Sequence, residues 1–309
     1  MKILGIGNAI VDVICRVDDN FITQNNLTKS TMKLFFDENE FKNLLTNLKI
    51  EKTVSGGSVA NSIVGISQLG DKAGFIGKIS DDEFGNNYEE GLKKENVEYF
   101  YSKKKEELPT GTCLILVTPD SERTMCTFLG TAGKINEDDI SLDTINKSDM
   151  VFLEGYLWDE GDPKKAFDKA INNSKKIAMT LSDQFCVDRH KAHFLDLVKN
   201  KLDICFANEG EMMSLIDGKD FSEVINFSKE IKKHIIITRG EDGAVSIKDN
   251  KIVEVESKKN LDILDLTGAG DLFAYGYLHG YINNLSQVEC LEKGTEMSAK
   301  IIQQIGARL

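Results

Sequence analysis

Proline is nearly missing from this chain, with three in 309 residues. Helices and strands can therefore run without the breaks proline imposes, and no proline-rich linker divides the sequence. Four histidines leave little from which to build a metal centre. Only His190 and His193 have helical ligand spacing, and they fall on a polar helix expected at the surface. Six cysteines (Cys15, Cys113, Cys126, Cys186, Cys205 and Cys290) form no Cys-x-x-Cys pair. Their mostly apolar surroundings predict reduced, buried thiols in a cytoplasmic protein, with no metal cluster. No apolar run approaches the roughly 20 residues that span a bilayer, so no membrane partner is expected. The opening MKILGIGNAIVDVIC alternates and runs into Asp12, which reads as strand rather than signal peptide. Positive charge is also short, with 38 basic residues against 50 acidic and a net charge of −12. That balance excludes a general affinity for nucleic acid or anionic membrane.

What is present reads as an α/β protein. Buried strands are expected at 2–7 and 73–79, another strand at 31–36, and an exposed-face strand at 11–17. Asp37 is placed to cap a helix reaching residue 48, with Glu40 completing a capping box. Helices follow at 59–69 and 81–94. Between about 97 and 131 the texture changes to two strands joined by Pro119-Asp120-Ser121, an antiparallel hairpin. Together with 11–36 it is expected to form a small helix-free sheet standing off the main body as a lid. Beyond residue 135, strands at 150–153, 177–181, 204–207, 235–238 and 244–247 alternate with helices at 162–174, 189–199, 209–216 and 222–232. A closing helix is expected at about 286–305. Such alternation predicts one domain over 1–309, a mainly parallel sheet with helices on both faces, and ligands at the carboxyl ends of its strands.

The stretch 260–282 is the most informative. A β-prone pair, Ile263 and Leu264, leads into Thr267-Gly268-Ala269-Gly270-Asp271 and then a long apolar helix. Glycines at a helix start leave outward-facing N–H groups that suit an anion, most readily a phosphate. Asp271, directly after them, is placed to take a proton from a hydroxyl attacking that phosphate. A tight turn with Asp271 as a simple cap is the plainer alternative. The stretch is neither a Gly-Lys-Ser/Thr loop nor a G-x-G-x-x-G fingerprint.

This stretch resembles the D-T-x-G-A-G-D signature of the ribokinase-like (PfkB) family of carbohydrate and nucleoside kinases, and other segments supply further parts in family order. Gly56, Gly57 and Asn61 in GGSVAN are similar to the family's G-G-x-x-x-N, while Asn8 and Asp12 bracket the end of the first strand. The resemblance implies that these five bind the substrate, Asp12 through its hydroxyls. PTGTC at 109–113 and the following arginine are closest to the adenosine kinase branch, which gives Arg123 a place at the transferring phosphoryl group. Asn208 and Glu211 match N-x-x-E, implying Mg²⁺ organised largely through water. They also spell a capping box. Thr238, Gly240 and Gly243 match T-x-G-x-x-G and, with Asn208 and Thr267, are expected near the nucleotide. Asp271, the Gly268, Ala269 and Gly270 amides and Arg123 are then the catalytic set, with the helix start keeping Asp271 ionised.

The implied reaction is transfer from ATP to the 5′-hydroxyl of a ribonucleoside, most readily adenosine. A sugar kinase acting on ribose, fructose or a related monosaccharide, and a non-catalytic binding relative, are the competing readings. For a nucleoside, Met32, Leu34, Phe35 and Leu129 are candidates to face the base. Leu266 stands where the family carries a small polar residue, beside the loop and the Asp265 position through which relatives hold a monovalent cation such as K⁺. As a partner, either no second chain or a lid-mediated homodimer is expected.

Overall fold

A computed structural model describes residues 1–120, 122–159 and 163–309, so Ser121 of the expected hairpin turn and the first residue of the helix expected at 162–174 lie outside the described residues. The strands are β1 Ile3–Ile6, β2 Ile10–Arg16, β3 Met32–Phe35, β4 Ile50–Ser55, β5 Ala73–Ile76, β6 Glu98–Tyr99 and β7 Gly111–Val117. They continue with β8 Arg123–Phe128, β9 Met150–Glu154, β10 Ile177–Thr180, β11 Ile204–Asn208, β12 His234–Thr238, β13 Ala244–Lys248 and β14 Lys251–Val255. The helices are α1 Asp19–Gln24, α2 Glu38–Thr46, α3 Ser58–Gln68, α4 Glu83–Lys94, α5 Leu142–Asn146 and α6 Pro163–Asn173. Then come α7 Gln184–Asp196, α8 Glu209–Ile216, α9 Phe221–Ile231, α10 Ala269–Ile282 and α11 Gln287–Ile301.

Nine strands form one sheet in the order β14-β13-β12-β11-β10-β9-β1-β5-β6. Pairing is parallel from β12 across to β6 and antiparallel only at β13 and β14. Side-chain parity sends alternate residues to two cores. Ile3, Phe75, Phe152 and Phe206 pack with α3, α10 and α11, while Leu4, Ile76, Val151 and Leu153 pack with α6 to α9. Both faces are covered, as near-continuous apolar strands of a parallel sheet require. α10 is accordingly buried almost all round, with Phe273, Tyr277 and Leu278 inside.

The remaining five strands make a second sheet, β3-β8-β7-β2-β4. Its membership departs from the expected segments. β4 belongs to it, whereas β6, at the start of 97–131, pairs with β5 at the edge of the large sheet. Nor is 11–36 free of helix, because Asp18 caps α1 by accepting from the Phe21 amide. Parity again decides what faces where. Val11, Val13 and Cys15 of β2 enter the main core, and β2 is more buried than an exposed-face strand. Ile10 and Ile14, on the opposite side, join Cys113, Ile115, Leu129 and Met125. Asp12 lies on that second face.

Local expectations fail where tertiary contacts outweigh them. Asp37 caps α2 through the Glu40 amide, but the Glu40 carboxylate goes to Lys33 instead of closing a capping box. The polar segment from 184 is helical five residues earlier than expected, because Asp183 caps α7. His190 and His193 are half-buried. Ile263 and Leu264 form no strand and are 56% and 65% exposed; Leu264 and Asp265 instead donate their amides to the Ile302 carbonyl. All six cysteines are buried, and no metal-ligating cluster of three occurs among the described residues.

Candidate active site

Glu154, Thr180, Asn208 and Thr238 end four neighbouring parallel strands, Asn8 lies two residues beyond the end of a fifth, β1, and all five line one cleft of about 1130 Å³. Chain order reverses direction between β1 and β9, the place where an open parallel sheet leaves a crevice. The second sheet roofs this crevice with Ile10, Asp12, Leu34, Cys113 and Met125. Two glycine turns bring the backbone in at the entry to α3. Gly57, at φ +99°, would as alanine place a Cβ 2.2 Å from the Asn8 carbonyl oxygen. Gly56 leaves room for the Asp12 carboxyl, which a Cβ there would meet at 2.4 Å.

Asp271 sits at the cleft floor in the first turn of α10. Ser58 donates its hydroxyl to Oδ1 at 2.6 Å, and Asn61 donates its amide to Oδ2 at 3.0 Å. Ser62 donates to the Asp271 carbonyl. This acid stays largely ionised at neutral pH, though raised above the ordinary aspartate range. Burial pushes it up to about 6, against the pull of Ser58, Asn61 and Arg308. Asp12 is pushed up to about 7, first by burial and also by the charge of Asp271, with Arg308 and Arg123 opposing.

Around that acid the expected anion nest is only partly available. Ala269 donates its amide to the Leu266 carbonyl at 3.2 Å, so it is removed from the set. The Gly268 and Gly270 amides have no backbone partner among the described residues. Asn61 lines the cleft and is engaged on both sides, its Oδ1 accepting from Arg308 Nε at 2.9 Å while its amide nitrogen holds Asp271. Arg123 does not line the cleft. Its Nη1 pairs with Asp265 Oδ2 at 2.6 Å, while its Nη2 is buried without a partner. Asp265 also accepts from Thr267 and from the Gly306 amide. Both of its oxygens are thus filled, and the guanidinium supplies the positive charge. The Asp265 carboxyl therefore does not fit a K⁺ ion.

Asn208 and Glu211 form a closed capping box. Asn208 Nδ2 donates to Glu211 Oε1 at 2.6 Å, and each backbone amide is taken by the other's side chain. Both still face the cleft beside Asp183. Burial, with the charge of Asp183 adding to it and the Asn208 backbone opposing, raises Glu211 to about 7, so a nearby cation would be welcome. Such residues fit Mg²⁺ held through its waters rather than by direct ligation. Gly240 and Gly243 shape the β12–β13 turn, where the backbone has positive φ, and do not line the cleft; Thr238 and Thr267 do. Among the candidates for an apolar ligand face, Met32, Leu34 and Leu129 line the cleft, whereas Phe35 packs against Phe41 in the core.

Two residues were missed by motif reading. Glu154 is fully buried, accepts the Asn8 and Val59 amides at 2.9 Å each, and is pushed up to about 7 by burial. It ties the turn after β1 to the entry of α3. Asn8 Oδ1, beside it, is buried without a partner. Arg308, beyond α11, carries no motif signal except lying on a short Gly-Ala-Arg run.

A family model described as pfkB family carbohydrate kinase matches residues 23–309. Adenosine kinase 2 of Arabidopsis thaliana is 25% identical over 98% of this chain and 94% of its own length. Two solved structures cover nearly the whole chain. Adenosine kinase from Sinorhizobium meliloti is 34% identical with a TM-score of 0.90, over 100% of this chain and 95% of that one. A probable sugar kinase from Rhizobium etli is 36% identical with a TM-score of 0.89, over 99% and 94%.

Proposed function

Since this chain belongs to the pfkB family of carbohydrate kinases and is a phosphotransferase with an alcohol acceptor, we propose that it transfers the γ-phosphoryl of ATP to the 5′-hydroxyl of a ribonucleoside, with adenosine as the first candidate. The observation carrying this reading is the Asp271 carboxyl, aimed by Ser58 and Asn61 and set beside the unbonded amides of Gly268 and Gly270. A carboxylate there takes the proton of the attacking hydroxyl, and the two amides receive charge developing on the transferring group. Mg²⁺, when bound near Asn208 and Glu211, supplies neutralisation of phosphate charge. The other roles belong to the chain: Asp12 accepts hydrogen bonds from the acceptor's hydroxyls, and the second sheet excludes water from the cleft.

Choice of a nucleoside over a bare sugar rests on the roof of the cleft. Ile10, Leu34, Cys113, Met125 and Leu129 give an apolar face beside Asp12, large enough for a heterocyclic base and wasted on a monosaccharide. The sugar-kinase alternative draws on the Rhizobium etli relative, whose identity is similar. ATP consumption against a panel of nucleosides and monosaccharides decides between them. Turnover with ribose or fructose exceeding that with every nucleoside sinks the nucleoside reading, and no turnover with any acceptor sinks both.

Asp271 must be ionised to act, and its raised value keeps it protonated to a higher pH than an ordinary aspartate. Turnover should therefore climb with pH through about 6 and level off above neutrality. A profile flat from pH 5 to 8 contradicts the assignment. Asp12→Ala should raise the acceptor KM about a hundredfold while leaving the KM for ATP in place, since two charge-assisted bonds are lost on one side only. Equal effects on both substrates would remove Asp12 from the acceptor site.

A further inference from the structure

The segment after α11 folds back against the cleft. Gly306 donates its amide to Asp265 at 3.0 Å, and Gln304 Nε2 donates to the Arg308 carbonyl at 2.8 Å. Ala307 lies so close to Gly268 that a Cβ there would meet its Cα at 2.9 Å. These contacts deliver the Arg308 guanidinium behind Asn61, where Nε donates to Oδ1 and Nη2 is sealed from solvent without a partner.

We propose that Arg308 is a positioning residue of the phosphoryl-transfer site: it fixes the orientation of the Asn61 amide, hence Asp271, and acts as the shared counter-charge of Asp12 and Asp271. An amide side chain is nearly symmetric, so something must decide which end faces the acid. The Nε donor takes the oxygen end, and the nitrogen end is thereby turned to Asp271 Oδ2. Without that donor the amide can flip and set its oxygen against a carboxylate. The charge has a separate role. Asp12 and Asp271 are recessed together, and the ionisation of Asp271 raises Asp12. Arg308 opposes the rise of both, whereas Arg123 opposes that of Asp12 and is already bonded to Asp265. The groups facing this cluster are Ser58 and Asn61 from α3, Asp12 from β2, Glu154 from β9, Tyr88 from α4, Glu95 just after it and Arg123 from β8.

The inference rests on Asp271 acting as the base, and its test has an arm that needs no substrate. Carboxyl-carbon NMR titrations of the full chain, wild type against Arg308→Met, should show the buried aspartates titrating about one pH unit higher in the variant. Turnover should fall about tenfold to a hundredfold, and its acid limb should move the same way. Arg308→Lys keeps the charge but not the directed Nε donor, so it should titrate like the wild type and still lose turnover. Combining Asn61→Ala with Arg308→Met should cost less than the sum of the two changes. The proposal is overturned by an Arg308→Met titration that matches the wild type, by Lys and Met variants that behave alike, or by full additivity. A wild type that transfers no phosphoryl group sinks the kinase reading separately, with the titration still readable.

Discussion

Asp271→Asn is expected to lower turnover at least about a thousandfold, which corresponds to roughly 4 kcal/mol of barrier. The substitution preserves shape and volume. Ser58 can still donate to the retained oxygen. What disappears is the ability to accept a proton, a contribution of about a hundredfold to ten-thousandfold by itself. A second loss adds to it, because the new amide nitrogen faces the Asn61 amide nitrogen unless one of them turns. Binding of the acceptor should be largely kept, since the residue proposed to hold its hydroxyls is Asp12. Single-turnover kinetics with calorimetric binding separates the two effects. Near-wild-type turnover in the variant removes the proposed base. A collapse of acceptor affinity at unchanged single-turnover rate makes Asp271 a binding residue.

Gly57→Ala carries the second large effect, this time on folding and chemistry together. Its φ of +99° lies where side chains are rarely accommodated, and the added Cβ would stand 2.2 Å from the Asn8 carbonyl oxygen. That neighbour is backbone, so no rotamer change relieves the contact. Strain and overlap together should cost at least about 3 kcal/mol. Gly57 is also the residue from which α3 starts, and any shift there carries Ser58 and Asn61 away from Asp271. Activity should therefore drop even at temperatures where the variant stays folded. Gly240→Ala is the control: its φ is also positive, at +56°, yet open space surrounds it. That change should cost about 1–2 kcal/mol and leave turnover intact. Denaturant midpoints for the pair decide the matter, and equal destabilisation would mean that the close approach to Asn8 has no consequence.

Much of this molecule was legible without coordinates, for a physical reason. Strands covered on both faces must be apolar throughout, and amphipathic segments between them must be helices, so the alternation after residue 135 reads directly from the chain. Glycine pairs record where the backbone bends or nears another group, which is why GGSVAN and TGAGD stood out. Asp271 followed from its place after such a pair. Each of these signals is local: the residue and the neighbours that explain it lie within one turn or one strand.

The failures have the opposite character. Glu154 looks like the end of any buried strand until the Asn8 and Val59 amides arrive from two other segments. Arg123, read as a hand on the phosphate, is bonded to Asp265, 142 positions further along the chain. Asn61 lines the cleft as its motif implies, but that its amide is shared between Asp271 and Arg308 is visible only in the fold. Asp271 stays largely ionised at neutral pH, as expected, but removal from water raises its value to about 6, which no local signal shows. The sequence by itself determined the layers, the glycine turns and the residue types at the cleft, because backbone geometry and burial pattern are written over short spans. Only the tertiary structure decided hydrogen-bond partners, side-chain orientation and charge state, because each depends on which distant segments desolvate and neutralise the same few atoms.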